Sequence, residues 1–168
     1  MKKDRFLKSD NSTELNDLAF EQSHFVPMIY LPPAWKPHEG MKREWVITDF
    51  PPVPRKKIKK APGVYAFVVE PNIFSLIPAS GLFYIGKATN LYDRIGAYIG
   101  ELNKGFTQTR RPQIWRMLNL WNGHLKYYYT ITDNVRLAEE LEAKMIQAFR
   151  PHFNRQYDAE TSKTMRAF

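Results

Sequence analysis

Three side chains able to act on an anion lie close together within residues 81–94. An apolar, aromatic run ends at Gly86, and a helical pattern begins shortly afterwards, so the sequence predicts a strand that leads directly into a helix. Tyr84 and Lys87 flank Gly86, and Arg94 lies one turn into the helix, within reach of the strand end. A planar, permanently charged guanidinium suits an anionic group. The simpler alternative is a half-buried tyrosine with two solvated cations.

A carboxylate occupies an unusual position in the last predicted helix, which runs from about Val135 to Phe149 before Pro151. On a helical wheel Glu142 falls between Phe149 and Ile146, inside the apolar arc. An unpaired carboxylate there would be strongly destabilising, so Glu142 must be paired, neutral or bound to a cation. Two interpretations stay open at this point: a glutamate that reaches solvent or pairs with an arginine, and a metal ligand.

Composition limits the class of protein. The 168 residues suit a single domain, and the absence of cysteine excludes disulfides, zinc fingers and thiol catalysis. We find no signal peptide and no long apolar run, and therefore expect a cytoplasmic protein with no membrane partner. The net charge of +8 predicts attraction to polyanions, but it does not distinguish nucleic acid from an acidic protein or a membrane surface.

The order of the predicted elements gives the fold class. From residue 62 onward the periodicity predicts two strands, two helices, a strand and a helix. This order is typical of an α+β domain, here a small antiparallel three-stranded sheet flanked by helices. The predicted domain boundaries are an arm at residues 1–61, a core at 62–157 and a tail at 158–168.

The arm is rich in proline. Eight of the 12 prolines lie between Pro27 and Pro62, which favours extended, irregular backbone with a single strand around Trp45 to Phe50. The arm also carries many aromatic and aliphatic residues, so we expect it to pack on the core.

Two groups of basic residues are candidate DNA contacts. The first, called the basic run below, ends the arm, and the second lies between the first two helices of the core. Contact with backbone phosphates and a merely solvated surface are both compatible with such groups. The basic run comprises Arg55, Lys56, Lys57, Lys59 and Lys60, and the second group comprises Lys104, Arg110 and Arg111.

Several short motifs together resemble the GIY-YIG nucleases. They are Gly63-Val64-Tyr65, then Tyr84-Ile85-Gly86-Lys87, then Asn90-Leu91 with Arg94, and finally Glu142 followed by Pro151 and Asn154. The motifs recur in the family's order and extend from about Pro62 to Asn154. The pattern is most similar to the nuclease module of the incision subunit of bacterial nucleotide-excision repair.

The resemblance implies hydrolysis of phosphodiester bonds in DNA with one divalent cation, Mg²⁺ or Mn²⁺. It implies catalytic roles for Tyr65, Tyr84, Lys87, Arg94 and Glu142, with Glu142 as the metal ligand. Tyr65 is then the candidate general base, although the ordinary pKa of tyrosine, about 10, is high for that task. Arg94 would stabilise charge on the phosphate.

Two further residues are predicted to support this site. Tyr98 shares the helix face of Arg94, and Asn154 is expected to fix the local turn or to support the site without binding metal. The alternative function is a nucleic-acid-binding protein that keeps the fold without cutting, or a subunit active only within a larger assembly. The sequence leaves target specificity and oligomeric state open.

Overall fold

The computed structural model describes residues 32–70, 74, 81–151, 153 and 154. The first 31 residues of the arm and the predicted tail at 158–168 lie outside these ranges. The described chain is an α+β domain with one antiparallel sheet and helices on both of its faces, which confirms the predicted fold class. In these ranges no helix combines the length and apolar character needed to cross a bilayer.

The sheet has four strands, so the prediction of three was wrong. The additional strand, β1, comes from the arm and pairs with β4, and the spatial order is β1-β4-β2-β3 with every pair antiparallel. Its sequence Val-Ile-Thr is β-branched, which suits a pleated strand. By pairing with β4, it covers an edge that would otherwise be open. The strands are β1 Val46–Asp49, β2 Gly63–Val69, β3 Gly81–Ala88 and β4 Leu125–Ile131.

Within the described residues four α-helices accompany the sheet, and the last of them has the bounds that the sequence predicted. Asn90 caps the second helix by accepting hydrogen bonds from two backbone N–H groups, and Asn134 caps the fourth in the same way from Leu137. Pro112 begins the third, where a missing N–H costs nothing. The helices are α1 Pro32–Trp35, α2 Leu91–Leu102, α3 Pro112–Leu120 and α4 Val135–Phe149.

Alternation along β2 divides the interior into two hydrophobic clusters. Tyr65 and Phe67 point to the face covered by α2 and α3, whereas Val64 and Ala66 point to the face covered by α4. The first cluster contains seven buried aromatic residues, whereas the buried members of the second are all aliphatic. The sheet therefore separates two sets of side chains that can meet only at its edges or beyond its ends.

The described part of the arm is joined to helices on both faces. Arg55 donates a hydrogen bond to the carbonyl of Tyr92 on α2 at 2.9 Å, and its guanidinium lies 4.0 Å from the centre of the Tyr92 ring. On the other face the indole N–H of Trp35 donates to the carbonyl of Ala148 on α4 at 2.8 Å. These contacts, with the β1–β4 pairing, integrate residues 32–61 with the core, while the domain boundary at residue 61 stays a prediction.

Candidate active site

The outer edge of β3 is covered by residues that follow α4. Asn154 is buried, its Oδ1 accepts a hydrogen bond from the Ile85 N–H at 2.8 Å, and its Nδ2 donates to the Ile85 carbonyl at 2.7 Å. The Phe153 N–H donates to the Phe83 carbonyl at 3.0 Å. Asn154 thus pairs with β3 much as a neighbouring strand would, and it fixes the strand just before the residues of the site.

Glu142 on α4 bonds to the same edge, two residues further along. Its Oε1 accepts a hydrogen bond from the Lys87 backbone N–H at 3.0 Å. Burial raises the pKa of Glu142, whereas the charge and N–H of Lys87 and the charge of Arg94 oppose that rise. The Lys87 ammonium lies 2.6 Å from the Glu139 carboxylate, which is one helical turn before Glu142. The carboxylate that the wheel placed in the apolar arc is therefore half-buried and paired.

Tyrosine hydroxyls gather on the opposite face of the sheet. Tyr65 lies directly across from Gly86, and a Cβ added at Gly86 would stand only 2.4 Å from the Tyr65 hydroxyl oxygen. The Tyr65 side chain is 1% exposed, and its hydroxyl lies 2.8 Å from that of Tyr98. Glycine at position 86 therefore makes room for a phenol that is tightly enclosed.

Burial changes the acidity of these phenols. It raises the pKa of Tyr65 well above the ordinary value, as do Tyr98 and Tyr84, while Arg94 opposes the rise. Burial and the nearby Tyr98 also raise the pKa of Tyr84, with Arg111 acting in the opposite direction. Tyr84 differs from Tyr65 in being partly exposed. The general-base role predicted for Tyr65 stays a prediction, and its enclosure is unfavourable for direct contact with water.

Arg94 is near enough to both groups of side chains for its charge to act on each. It stands in the first turn of α2, where its N–H donates to the Asn90 carbonyl at 3.0 Å, and its side chain is partly exposed. Its charge acts on Tyr65 of one face and on Glu142 of the other. Together with Lys87 it lines a cleft of about 330 Å³. The site is thus assembled from both faces of the sheet at the point where β3 leads into α2.

The donor set for a metal ion is small. Among the residues that the structure describes, no group of three or more histidine, aspartate or glutamate side chains could hold a metal. Glu142 offers one carboxylate beside a charged, solvent-accessible cleft. Magnesium is commonly bound through one or two carboxylates while it keeps several waters. A single glutamate with water and a substrate phosphate therefore fits magnesium, whereas a closed zinc-type site is not available here.

Comparison with known families identifies this arrangement. A family model described as the GIY-YIG catalytic domain matches residues 62–157, more than half of the chain. This chain belongs to the GIY-YIG family. The match spans the motifs from Tyr65 to Asn154, so the residues gathered at the edge of β3 are those of the GIY-YIG domain.

Solved structures of the GIY-YIG family are similar to this chain. One is the GIY-YIG N-terminal endonuclease domain of UvrC from Thermotoga maritima bound to magnesium, with 30% identity over 60% of this chain and 93% of that chain and a TM-score of 0.42. A point mutant of the same domain bound to its divalent cation shows 27% identity over 61% of this chain and 94% of that chain, with a TM-score of 0.43. A search of curated proteins found no match.

The residues predicted to bind DNA have different surroundings in this GIY-YIG structure. Arg55 is engaged with Tyr92, and Lys60 lies 5.2 Å from the same ring. Lys104 pairs with Glu101 at 2.8 Å. The exposed members, whose side chains are open to solvent, are Lys56, Lys57, Lys59, Lys60 and Arg110.

Sequence reasoning missed two features of the site. Glu139, which pairs with Lys87, could have been noticed because it lies one helical turn before Glu142 on the side that faces the strand. Arg111 was predicted only as a candidate DNA contact, yet its guanidinium lies 5.2 Å from the centre of the Tyr98 ring. No periodicity signals that contact, because it depends on the path of the loop between α2 and α3.

Proposed function

We propose that this protein is a divalent-metal-dependent endonuclease that hydrolyses phosphodiester bonds in DNA. The observation that carries the proposal is the hydrogen bond between Glu142 and the Lys87 N–H. It brings a half-buried carboxylate from the α4 face to the strand end where Arg94 and the phenols of the other face are gathered. Hydrolysis of a phosphodiester needs these groups together: a metal ligand, a cation for the phosphate and a group that orients water.

Glu142 is the proposed metal ligand. A divalent cation bound there would neutralise charge on the scissile phosphate and help the 3′ oxygen to leave. The Lys87 N–H fixes one carboxylate oxygen and so orients the carboxylate. Mg²⁺ is the first choice, because the carboxylate set fits it and because the UvrC domain similar to this chain carries magnesium.

Arg94 is the proposed phosphate ligand. Its guanidinium is partly exposed in the cleft and is close enough to Tyr65 and Glu142 to influence both. Charge on the non-bridging oxygens grows during hydrolysis, and a planar guanidinium can contact two of them at once. Lys87 supplies a second cation in the same cleft. The Lys87 ammonium is paired with Glu139 at 2.6 Å.

The tyrosines take different roles in this proposal. We place the attacking water beside Tyr84, because this residue is partly exposed whereas Tyr65 is buried, and we place Tyr65 behind it as a phenol joined to the Tyr98 hydroxyl. In this proposal Tyr65 is therefore not the general base that the family resemblance implied. Tyr84→Phe should lower the cleavage rate by about 10²- to 10⁴-fold, the range typical of a lost general acid or base, and Tyr65→Phe by less.

Cleavage assays with a matched pair of carboxylate variants test the proposal. Wild-type protein with Mg²⁺ or Mn²⁺ should cut at least one of plasmid, linear duplex or branched DNA, and a chelator should stop the reaction. Glu142→Gln keeps an oxygen for the Lys87 N–H but loses the charge, so it should bind DNA and not cut. Glu140→Gln, on the exposed side of the same helix and paired with Arg136, is the control and should retain the rate.

Two outcomes would change the assignment. Cleavage in the presence of chelator, or full activity in Glu142→Gln, contradicts the metal role of Glu142. Failure of the wild type to cut any of these DNAs, with binding intact, would support the alternative of a non-cleaving nucleic-acid-binding protein or of a subunit active only within a larger assembly.

A further inference from the structure

A buried carboxylate outside the cleft anchors the loop between α2 and α3. Glu101 is 4% exposed, and its two oxygens are bound by the Lys104 ammonium at 2.8 Å and by the Thr109 hydroxyl. Burial would raise the pKa of Glu101, but the hydrogen bonds from Lys104 and Thr109 bring it below the ordinary value. A buried glutamate held ionised in this way is a strong local constraint, because removing any partner leaves an unpaired charge.

The same contacts fix the position of Arg111. The Thr109 hydroxyl oxygen also accepts a hydrogen bond from the Arg111 N–H at 2.9 Å. The Arg111 carbonyl accepts from the N–H of Trp115, which is fully buried and whose indole N–H donates to the Lys104 carbonyl at 2.9 Å. The backbone of Arg111 is therefore held from both sides. We call Glu101, Thr109 and Arg111 the loop brace.

The braced arginine points at the tyrosine cluster. Its guanidinium carbon lies 5.2 Å from the centre of the Tyr98 ring. The Tyr98 hydroxyl lies 2.8 Å from the Tyr65 hydroxyl, and the centres of the Tyr65 and Tyr84 rings are 6.3 Å apart. Tyr98 therefore connects Arg111 to Tyr65, which in turn packs beside Tyr84. Neighbouring Arg110 is exposed.

We propose that Arg111 is a positioning residue for the hydrolysis proposed above: by packing against the Tyr98 ring, it fixes the Tyr98 hydroxyl and, through it, the enclosed Tyr65 hydroxyl that lies behind Tyr84. This inference rests on the proposed function, and it assigns to buried Glu101 and its partner Thr109 the task of keeping Arg111 in place.

Single-turnover cleavage at saturating DNA separates positioning from DNA binding. Arg111→Gln should lower the rate by roughly 10- to 100-fold with little change in Kd, since misplacing a catalytic group is costly even when binding is intact. Arg111→Lys should recover only part of the rate, because an ammonium lacks the planar fork. Arg136→Gln, a surface arginine paired with Glu140, is the control and should leave both quantities unchanged. A weaker Kd with an unchanged rate in Arg111→Gln would overturn the proposal.

A double-mutant cycle tests whether Arg111 acts through Tyr98. If it does, Arg111→Gln combined with Tyr98→Phe should be no more than about twofold slower than the slower single variant, because residues that act on one contact are non-additive. Fully multiplicative losses would refute the path through Tyr98. Equal melting temperatures of the variants would show that the losses do not come from unfolding.

A measurement without cleavage keeps this inference separate from the proposed function. In protein with isotope-labelled tyrosine, the ring resonances of Tyr98 and Tyr65 should shift in Arg111→Gln and not in Arg136→Gln. If the wild type cuts no DNA but these shifts occur, the nuclease proposal fails while the ordering of the hydroxyls by Arg111 stands. If the resonances do not move, Arg111 does not order the cluster, whatever the cleavage assays show.

Discussion

Replacing Asn154 with alanine removes both hydrogen bonds that hold Ile85 at the outer edge of β3. Ile85 is fully buried, so its N–H and carbonyl lose partners in a place where water enters poorly. Each unpaired buried polar group costs about 1–3 kcal/mol. Because water can partly enter the gap left by the side chain, we expect the total cost for the two Ile85 groups to lie in the lower half of the range obtained by adding them. Asn154→Ala should therefore lower the free energy of unfolding by about 2–4 kcal/mol.

Asn154→Asp gives a variant of the same size with a pH signature. One carboxylate oxygen can still accept from the Ile85 N–H, but the other faces the Ile85 carbonyl, and two acceptors repel. A protonated aspartate restores a donor. The folded state thus favours protonation and raises the aspartate pKa above its unfolded value of about 3.9. The stability of the variant relative to wild type is then highest below that value and is lost as pH rises through the folded pKa.

Urea denaturation from about pH 4 to pH 7 measures both effects on one protein preparation. The difference between wild type and Asn154→Asp should grow as pH rises, whereas the difference between wild type and Asn154→Ala should stay nearly constant. A loss below about 0.5 kcal/mol in the alanine variant, or a flat pH dependence in the aspartate variant, would refute the idea that Asn154 acts as a substitute strand.

Gly86→Ala should lower the free energy of unfolding by about 1–3 kcal/mol, because the new methyl group meets the enclosed Tyr65 hydroxyl. The control Gly100→Ala lies in α2, where the added methyl group has nothing within 4 Å, and it should raise the free energy of unfolding by about 0.5–1 kcal/mol. Equal melting temperatures of the two variants would argue against the contact at residue 86. Alanine at the four lysines of the basic run should lower the log-log salt slope of DNA binding by roughly one unit per contact, and an unchanged slope would leave them as solvated surface. Arg55→Ala should lower stability and leave that slope intact, since its guanidinium is engaged with Tyr92.

Local signals were sufficient to predict the helices and the position of Glu142. The helix predicted shortly after Gly86 begins at Leu91, and the helix predicted from about Val135 begins at that residue; each follows an asparagine that caps it. A carboxylate within an apolar arc must find a partner, and Glu142 accepts a hydrogen bond from Lys87. The helix starts depend on nearby residues, and the apolar arc indicates only that Glu142 needs a partner; which residue provides it, 55 positions away, is decided by the fold.

Features that depend on distant contacts could not be predicted. The pairing of β1 with β4 joins residues about 80 positions apart, and the sequence of a short strand in a proline-rich arm does not indicate which strand it will pair with. The sequence also gives no reason to separate Arg55, which stacks on Tyr92, from the exposed lysines beside it. Arg111 reaches the tyrosine cluster only because buried Glu101 sets the course of its loop.

The hydrogen bond from the Lys87 N–H to Glu142 also provides a means of following motion at the site. This amide is protected by a side chain of α4, whereas many amides of β3 are protected by pairing with β2. Its hydrogen exchange therefore reports separation of α4 from the sheet, an opening that can be less costly than global unfolding. Faster exchange at Lys87 than within the β2–β3 ladder would mark a state in which the carboxylate has left while the tyrosine cluster is intact. The protein would then pass between competent and incompetent forms without losing its fold.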